Sequence, residues 1–239
     1  MSESVQASSL WRDIIPWLNS DQLQLLEAYA AGLQTVNEVT NLISRRSSYS
    51  DIVNHIAHCL CIASRGFPDG SRIVDWGTGG GLPLIPLAIC YPSASFVGVD
   101  AVLRKIDVVR ELVDSVNLPN VSLLHARAEK VRGVSFTHAV SRATAPLKLL
   151  WRWSTPVLSP PPTSEAGISS DSGMPQAVWP SGLICLKGGD LKAELADFNA
   201  PSRGLAVDST PCGSLGWPTS DPTKVLLSVH VAPSITKYG

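Results

Sequence analysis

What this chain lacks narrows its identity before any motif is read. None of its 239 residues fall in a run approaching the roughly 20 consecutive apolar positions that span a bilayer, so no membrane partner is expected. The segment Met1–Asn19 has no basic start leading into an apolar centre and a small-residue cleavage site, and the expected location is cytoplasmic. There is no Cys-x-x-Cys pair. Cys59, Cys61, Cys90, Cys185 and Cys212 are odd in number, scattered and set in apolar stretches, which reads as buried free thiols and excludes a disulfide framework or a metal-ligand grouping. The formal net charge of −1 supplies no overall attraction to polyanions, so any nucleic-acid partner must be held by a local basic patch. No Ser/His/Asp constellation and no cysteine-nucleophile motif is found.

What the chain has is enough apolar material for a sizeable core, 44% of residues, in a length suited to one α/β domain with a small extension; a monomer is expected. Apolar residues recur at helical spacing from Leu10 to about Leu33, with Ser20-Asp21 as the cap, and again from Ile52 to Ile62. Residues 1–66 therefore read as an N-terminal helical extension packed on a main domain of residues 67–239. Within that domain, strands are expected at Arg72–Trp76, Ser95–Asp100, Val121–His125, Phe136–Ser141, Gly182–Leu186 and Lys224–Val231. Helices are expected at Leu84–Tyr91, Arg104–Val116 and Leu147–Trp153, an alternation that argues for parallel βαβ units. Ser159–Pro180 and Thr210–Pro222, rich in Pro, Ser and Gly, read as surface insertions, the first long and flexible.

The most informative stretch is Ile73-Val74-Asp75-Trp76-Gly77-Thr78-Gly79-Gly80-Gly81-Leu82, a buried strand running into a glycine cluster and then a helix. Glycine suits a backbone that must turn sharply and approach a ligand closely. The dinucleotide fingerprint Gly-x-Gly-x-x-Gly is absent in every frame, since Leu82 and Leu84 stand where its last glycine would be. The remaining pattern, Asp-x-Gly-x-Gly-x-Gly, resembles the first motif of Rossmann-like methyltransferases, with Asp75 as the acidic strand residue. The next strand ends at Asp100, at the spacing where a carboxylate accepts the ribose hydroxyls of an adenosine.

With these residues placed, the chain resembles the RsmG (GidB) family of bacterial rRNA methyltransferases. The likeness spans about Asn41 to Asp190. It rests on Asn41-Leu42-Ile43-Ser44-Arg45, His55 to Leu60, Asp75 to Leu82 with Pro83 and Ile85-Pro86-Leu87-Ala88, Ala126-Arg127-Ala128-Glu129, Ser141-Arg142-Ala143 and Leu186 to Leu191, in matching order. The resemblance implies a Rossmann-like fold with a mostly parallel seven-stranded sheet and S-adenosyl-L-methionine as cofactor. It further implies methyl transfer to N7 of a guanosine in small-subunit (16S) rRNA, naked or in a ribosomal particle. It also implies that Gly77, Leu82, Ala128, Glu129 and Arg142 contact the cofactor, supported by Asp75, Gly79 and Asp100. The chain departs from the family at Leu84 and Leu103, where Gly is usual, and at Ala101, where Ser is usual; the helix after the glycine turn and the loop after Asp100 are expected to be displaced.

Guanine N7 has a lone pair and no proton, so its methylation needs alignment and no general base, and neither a catalytic residue nor a metal is expected. The fourth strand ends in Ser-Arg-Ala and not in an Asn-Pro-Pro-Tyr type of motif, which favours a ring nitrogen over an amino group as target. Arg142 and Lys187, at adjacent strand ends, are candidates for positioning the guanine. Arg45, Arg46, His55, Arg104, Lys105 and Lys187 are candidates for contacting RNA. Paired tryptophans Trp151 and Trp153 read as helical core packing in preference to base stacking. Two other functions share these features: methyl transfer to a small molecule or protein, and non-catalytic binding of RNA or nucleotide on the same fold.

Overall fold

The computed structural model describes residues 3–40, 42, 47–142, 144–159, 175–200, 204–219 and 221–232. Three helices come first: α1 (Glu3–Ile14), α2 (Ser20–Thr40) and α3 (Tyr49–Leu60). The alternating part follows as β1 (Arg72–Trp76), α4 (Leu84–Cys90), β2 (Ser95–Asp100), α5 (Leu103–Ser115), β3 (Val121–His125), β4 (His138–Arg142), α6 (Leu147–Ser154), β5 (Gly182–Lys187), α7 (Lys192–Phe198), β6 (Leu205–Pro211) and β7 (Val225–Val231).

The strands form one seven-stranded sheet in the order β3-β2-β1-β4-β5-β7-β6. The first five are parallel, and β7 runs antiparallel to both β5 and β6. The expected mostly parallel, seven-stranded, Rossmann-like sheet is thus the one the chain forms. Because the chain builds outward from β1 in one direction and restarts at β4 in the other, the crevice at the carboxyl ends of β1 and β4 is the topological switch point, where such sheets bind ligands.

Both faces of the sheet are covered, which explains why its central strands read as continuous apolar runs. On one face Ile73, Val140 and Ile184 pack with Ile85 of α4 and Val109 and Leu112 of α5, in a cluster that also takes in Trp11, Leu26, Tyr29, Leu33, Ile52 and Ile56. The N-terminal helices therefore share the main core. On the other face Val74, Trp76, Ala139 and Leu183 pack against Leu147 and Leu150 of α6 and Phe198 of α7. No helix among the described residues is long and apolar enough to cross a membrane.

Several boundaries differ from expectation. The cap of α2 is Asn19, not Ser20-Asp21: its Oδ1 accepts from the Gln22 amide at 2.8 Å while Gln22 Oε1 accepts from the Asn19 amide at 3.1 Å, a reciprocal cap. The fourth strand begins at His138 and not at Phe136, whose amide is given to Val157 O at 2.8 Å. Helix α7 and strand β6 were not expected at all. The stretch Thr210–Pro222 is no loose insertion over its described residues: it opens with the end of β6 and a 3-10 turn that buries Cys212 completely. Its Trp217 stacks on His58 with centroids 4.3 Å apart. Of the expected flexible insertion, residues 160–174 lie outside the described residues, while its end is tied down. Trp179 is buried, its amide donates to Gly66 O and its indole to Ile62 O, at 2.9 and 2.8 Å. All five cysteines are buried and free.

Candidate functional site

The glycine turn that follows β1 is shaped by backbone that only glycine adopts readily. Gly77, Gly79 and Gly81 have φ of +72°, +56° and +86°, the left-handed region in which a Cβ is penalised. The turn is sewn to the end of β2: the Gly77 and Thr78 amides donate to Val99 O at 2.8 and 3.0 Å, and the Gly79 amide donates to Asp100 Oδ2 at 3.1 Å. From the helical side, Tyr29 Oη donates to Gly80 O at 2.8 Å. A Cβ on Gly79 would meet nothing nearer than Gly77 O at 3.8 Å, and the residue lines a cavity, so a side chain there would occupy the cavity itself.

That cavity, about 510 Å³, lies at the carboxyl edge of the sheet, within the size range of small-ligand sites. Of the residues expected to serve a cofactor, Gly77, Gly79, Leu82, Asp100, Ala128, Glu129 and Arg142 all line it. The order is directional, with the glycine turn at the end of β1, Asp100 at the end of β2, and Ala128–Glu129 in a 3-10 turn beyond β3. Asp100 accepts from the Val102 amide at 3.0 Å as well as from Gly79. A carboxylate offers about four lone-pair sites, so two backbone donors leave room for two hydroxyls.

Asp75 does not line the cavity. It is fully buried behind the glycine turn, and among the described residues neither of its carboxylate oxygens closes a hydrogen bond. Burial raises its pKa to about 7; the nearby Thr78 hydroxyl, Leu84 amide and Arg142 guanidinium pull the other way without closing a well-formed hydrogen bond. An unpaired buried carboxyl group of this kind is costly and is found where a site is prepared for a ligand's charge.

The candidates for RNA contact separate. Lys105 lines the cavity from the first turn of α5, whereas Arg104 donates to Val39 O at 3.1 Å on the exposed rim. His55 is half-buried, and burial, helped by the Arg142 guanidinium, lowers its pKa to about 4. Lys187 is turned away: it is buried and its Nζ donates to Ala145 O at 2.6 Å and to Glu194 Oε1 at 2.7 Å. Arg45 and Arg46 lie outside the described residues. Arg142 lines the cavity, and among the described residues its guanidinium makes no hydrogen bond or ion pair.

Sequence reasoning missed Thr144 and Trp153, which also line the cavity. Trp151 packs edge-on against Phe198 as expected, at 6.4 Å, but Trp153, two positions on, borders both the core and the cavity. Helical spacing identifies an apolar face and does not tell which part of it meets a crevice. The departure at Leu84 is absorbed locally. Its side chain is fully buried, and a Cβ on Gly98 would fall 2.6 Å from Leu84 Cδ2, so the bare backbone of β2 makes the room. Ala101 lines the cavity beside Asp100.

The site fits a nucleoside bearing an amino-acid tail better than a dinucleotide. A bare-backbone bend and a strand-end carboxylate line one cavity, with a buried carboxyl group behind the bend, and leucine stands where a dinucleotide fingerprint has the third glycine that lets helix and strand pack closely.

Comparison with known proteins agrees with this. The family model for GidB, "rRNA small subunit methyltransferase G", matches residues 22–163. The ribosomal RNA small subunit methyltransferase G of Salinibacter ruber is 40% identical over 191 residues, which cover 80% of this chain and 84% of that protein. The protein of the same name from Chlorobaculum tepidum is 38% identical over 204 residues, covering 83% and 85%. Among solved structures, a ribosomal protein L11 methylase from Lactobacillus delbrueckii subsp. bulgaricus superposes with a TM-score of 0.53 at 12% identity, over 78% of this chain and 81% of that one. A variant of MtNAS in complex with S-adenosylmethionine does so with a TM-score of 0.52 at 13% identity, over 87% and 73%. These two likenesses concern the fold.

Proposed function

Because the chain belongs to the GidB family of rRNA small subunit methyltransferases, we infer that it is an enzyme transferring a methyl group from S-adenosyl-L-methionine to N7 of a guanosine in small-subunit rRNA. The single observation that carries this is the convergence of the glycine turn, Asp100, Ala128–Glu129 and Arg142 on one cavity at the switch point of the sheet.

The cofactor, when bound, supplies an electrophilic methyl on a sulfonium. The chain's own residues bind and orient. The glycine turn brings backbone within reach of the amino-acid end, and Asp100 accepts from ribose hydroxyls. Ala128 and Glu129 meet the adenine edge. Asp75, buried behind the bend, answers positive charge there with its own ionisation. Arg142, the guanidinium without a protein partner among the described residues, donates to guanine O6. That contact orients the base so that N7 faces the methyl. No side chain has to remove a proton, so alignment and approach distance carry the rate. Lys105 and Arg104 flank the mouth on the side of α5, where phosphates can be met.

Calorimetry and a gene deletion test the two halves of this reading. Micromolar binding of S-adenosylmethionine with no binding of NAD is expected; binding of NAD alone would reject the cofactor. Small-subunit rRNA from a strain lacking the gene is expected to lose one 7-methylguanosine by mass spectrometry, and an unchanged level would reject the acceptor.

A further inference from the structure

The turn from β4 to α6 forms one wall of the cavity, since Arg142 and Thr144 both line it. Thr144 stands directly against the glycine turn. Its Oγ1 has two acceptors in reach, Arg142 O at 3.2 Å and Gly77 O at 3.5 Å, and a Cβ at Gly77 would fall 2.1 Å from its Cγ2. A shift of this turn of a few tenths of an ångström would therefore be felt at both the cofactor bend and Arg142.

Its other end is gripped from below by an ion pair whose lysine is buried and whose carboxylate is half-buried. Lys187, the last residue of β5 and 7% exposed, gives Nζ hydrogen bonds to Ala145 O at 2.6 Å and to Glu194 Oε1 at 2.7 Å. The same Glu194 oxygen, on α7, accepts from the Leu147 amide at 2.5 Å and so caps the start of α6. One ammonium and one carboxylate, bonded to each other, thus fix Ala145 and Leu147 through one charge-assisted hydrogen bond apiece.

A pair whose lysine is buried is weak evidence of a stabilising role, because apolar side chains of similar size commonly serve a core as well or better. What apolar residues would not supply is the hold on a backbone carbonyl and a backbone amide. Nor is Lys187 placed to meet RNA: two of its three donors are committed, and it is not among the residues lining the cavity.

We propose that Lys187 and Glu194 are positioning residues for methyl transfer, acting through Ala145 and Leu147 to hold the Thr144–Arg142 wall against the glycine turn. This rests on the methyl-transfer reading above. The pair spans β5 and α7 and sets the entry of α6, so its effect belongs to the chemical step and not to capture of RNA.

The test uses the full chain with S-adenosylmethionine and small-subunit rRNA, and it compares steady-state kinetics with the salt dependence of rRNA binding. For Lys187→Met, kcat is expected to fall about tenfold or more, since small misplacements carry penalties up to about a hundredfold, with KM for rRNA within about twofold of the parent. Lys187→Arg is expected to recover most of the loss. The slope of log binding constant against log salt is expected to match the parent. A slope shallower by about one ion together with a raised KM would mean a direct phosphate contact and overturn the proposal; so would an unchanged kcat.

Should Lys187→Met fail to fold, Glu194→Gln serves instead. It keeps an acceptor for the Leu147 amide and removes the charge facing Lys187, and a severalfold loss of kcat at unchanged salt slope is expected. Parental kcat there overturns the proposal. The double variant Lys187→Met/Glu194→Leu is expected to fold with an intact melting temperature and a kcat as low as Lys187→Met; parental kcat in it overturns the proposal as well. The parent's own turnover is measured first: a parent that transfers no methyl defeats the methyl-transfer reading and this proposal together, whereas an active parent with equally active variants defeats this proposal alone.

Discussion

Asp100 and Asp75 are carboxyl groups in opposite circumstances. Asp100 lines the cavity with two backbone amides already donating to it. Asp100→Ala is expected to weaken S-adenosylmethionine binding by about 1–3 kcal/mol, the cost of a lost charged acceptor, measured by calorimetry; unaltered affinity would show that no ribose hydroxyl meets this side chain. Asp75 has no such partners and keeps its proton in the folded chain up to about pH 7, while in the unfolded chain it ionises near the ordinary carboxylate value of about 4. Between those pH values the folded state binds the extra proton, so rising pH works against folding there. Asp75→Asn does not titrate in this range. Its stability relative to the parent is therefore expected to rise from about pH 4 to about pH 7 and stay level above that, followed by melting temperature across pH. A difference that does not vary with pH would mean that Asp75 is ionised throughout. Both residues were legible from the chain, one as the acid before the glycines and one as the acid ending the next strand. What could not be read was the contact of Tyr29 with Gly80, 51 residues apart, or of Thr144 with Gly77, 67 apart, because no local pattern encodes a partner brought in by tertiary packing.

Strands β1, β2 and β3 have the bounds expected of them: β1 and β2 are internal parallel strands whose apolar runs are cut off by turn residues, and β3, at the sheet edge, carries Val121, Leu123 and Leu124 between turn residues. Strand β6 escaped because its apolar part is short: Leu205, Ala206 and Val207 are followed by exposed Asp208 and Ser209, and the strand ends in proline. Helix α7 escaped because it is seven residues long and buries only Phe198, too little for a periodicity to register. Among the helices, α2 has the clearest energetic handle. Asn19→Ala removes the side-chain acceptor for the Gln22 amide and is expected to cost about 1 kcal/mol of stability, read from denaturant midpoints; Ser20→Ala, which leaves this cap in place, is expected to cost much less. Equal losses in the two would return the cap to Ser20. The glycine turn gives a sharper outcome. Gly77→Ala places a Cβ 2.1 Å from Thr144 Cγ2 at a φ of +72°, so cofactor binding is expected to fall below detection with a clear drop in melting temperature, and a variant that binds normally would mean that the β4–α6 turn can yield.

Taken whole, the molecule is one sheet with two helical layers, and the expected N-terminal extension is part of the first of them. Tyr29 and Leu33 of α2 and Ile52 and Ile56 of α3 lie in the same cluster as α4, α5 and the sheet, and Tyr29 reaches the glycine turn directly. The extension thus backs the glycine turn, and its Leu42 lines the cavity, a role that helical spacing could suggest only as packing. The sheet order places the glycine turn, Asp100 and Arg142 at neighbouring strand ends although they are far apart in the chain, and it is this geometry that the inferred chemistry requires. It is tested most directly by incubating the purified chain with S-adenosylmethionine carrying a deuterated methyl group and small-subunit rRNA that lacks the modification, then digesting the RNA to nucleosides for mass spectrometry. Deuterated 7-methylguanosine is expected with the parent and is expected to fall sharply with Asp100→Ala at a subsaturating cofactor concentration. Label on another nucleoside, or none on RNA while the cofactor is bound, would contradict the inference.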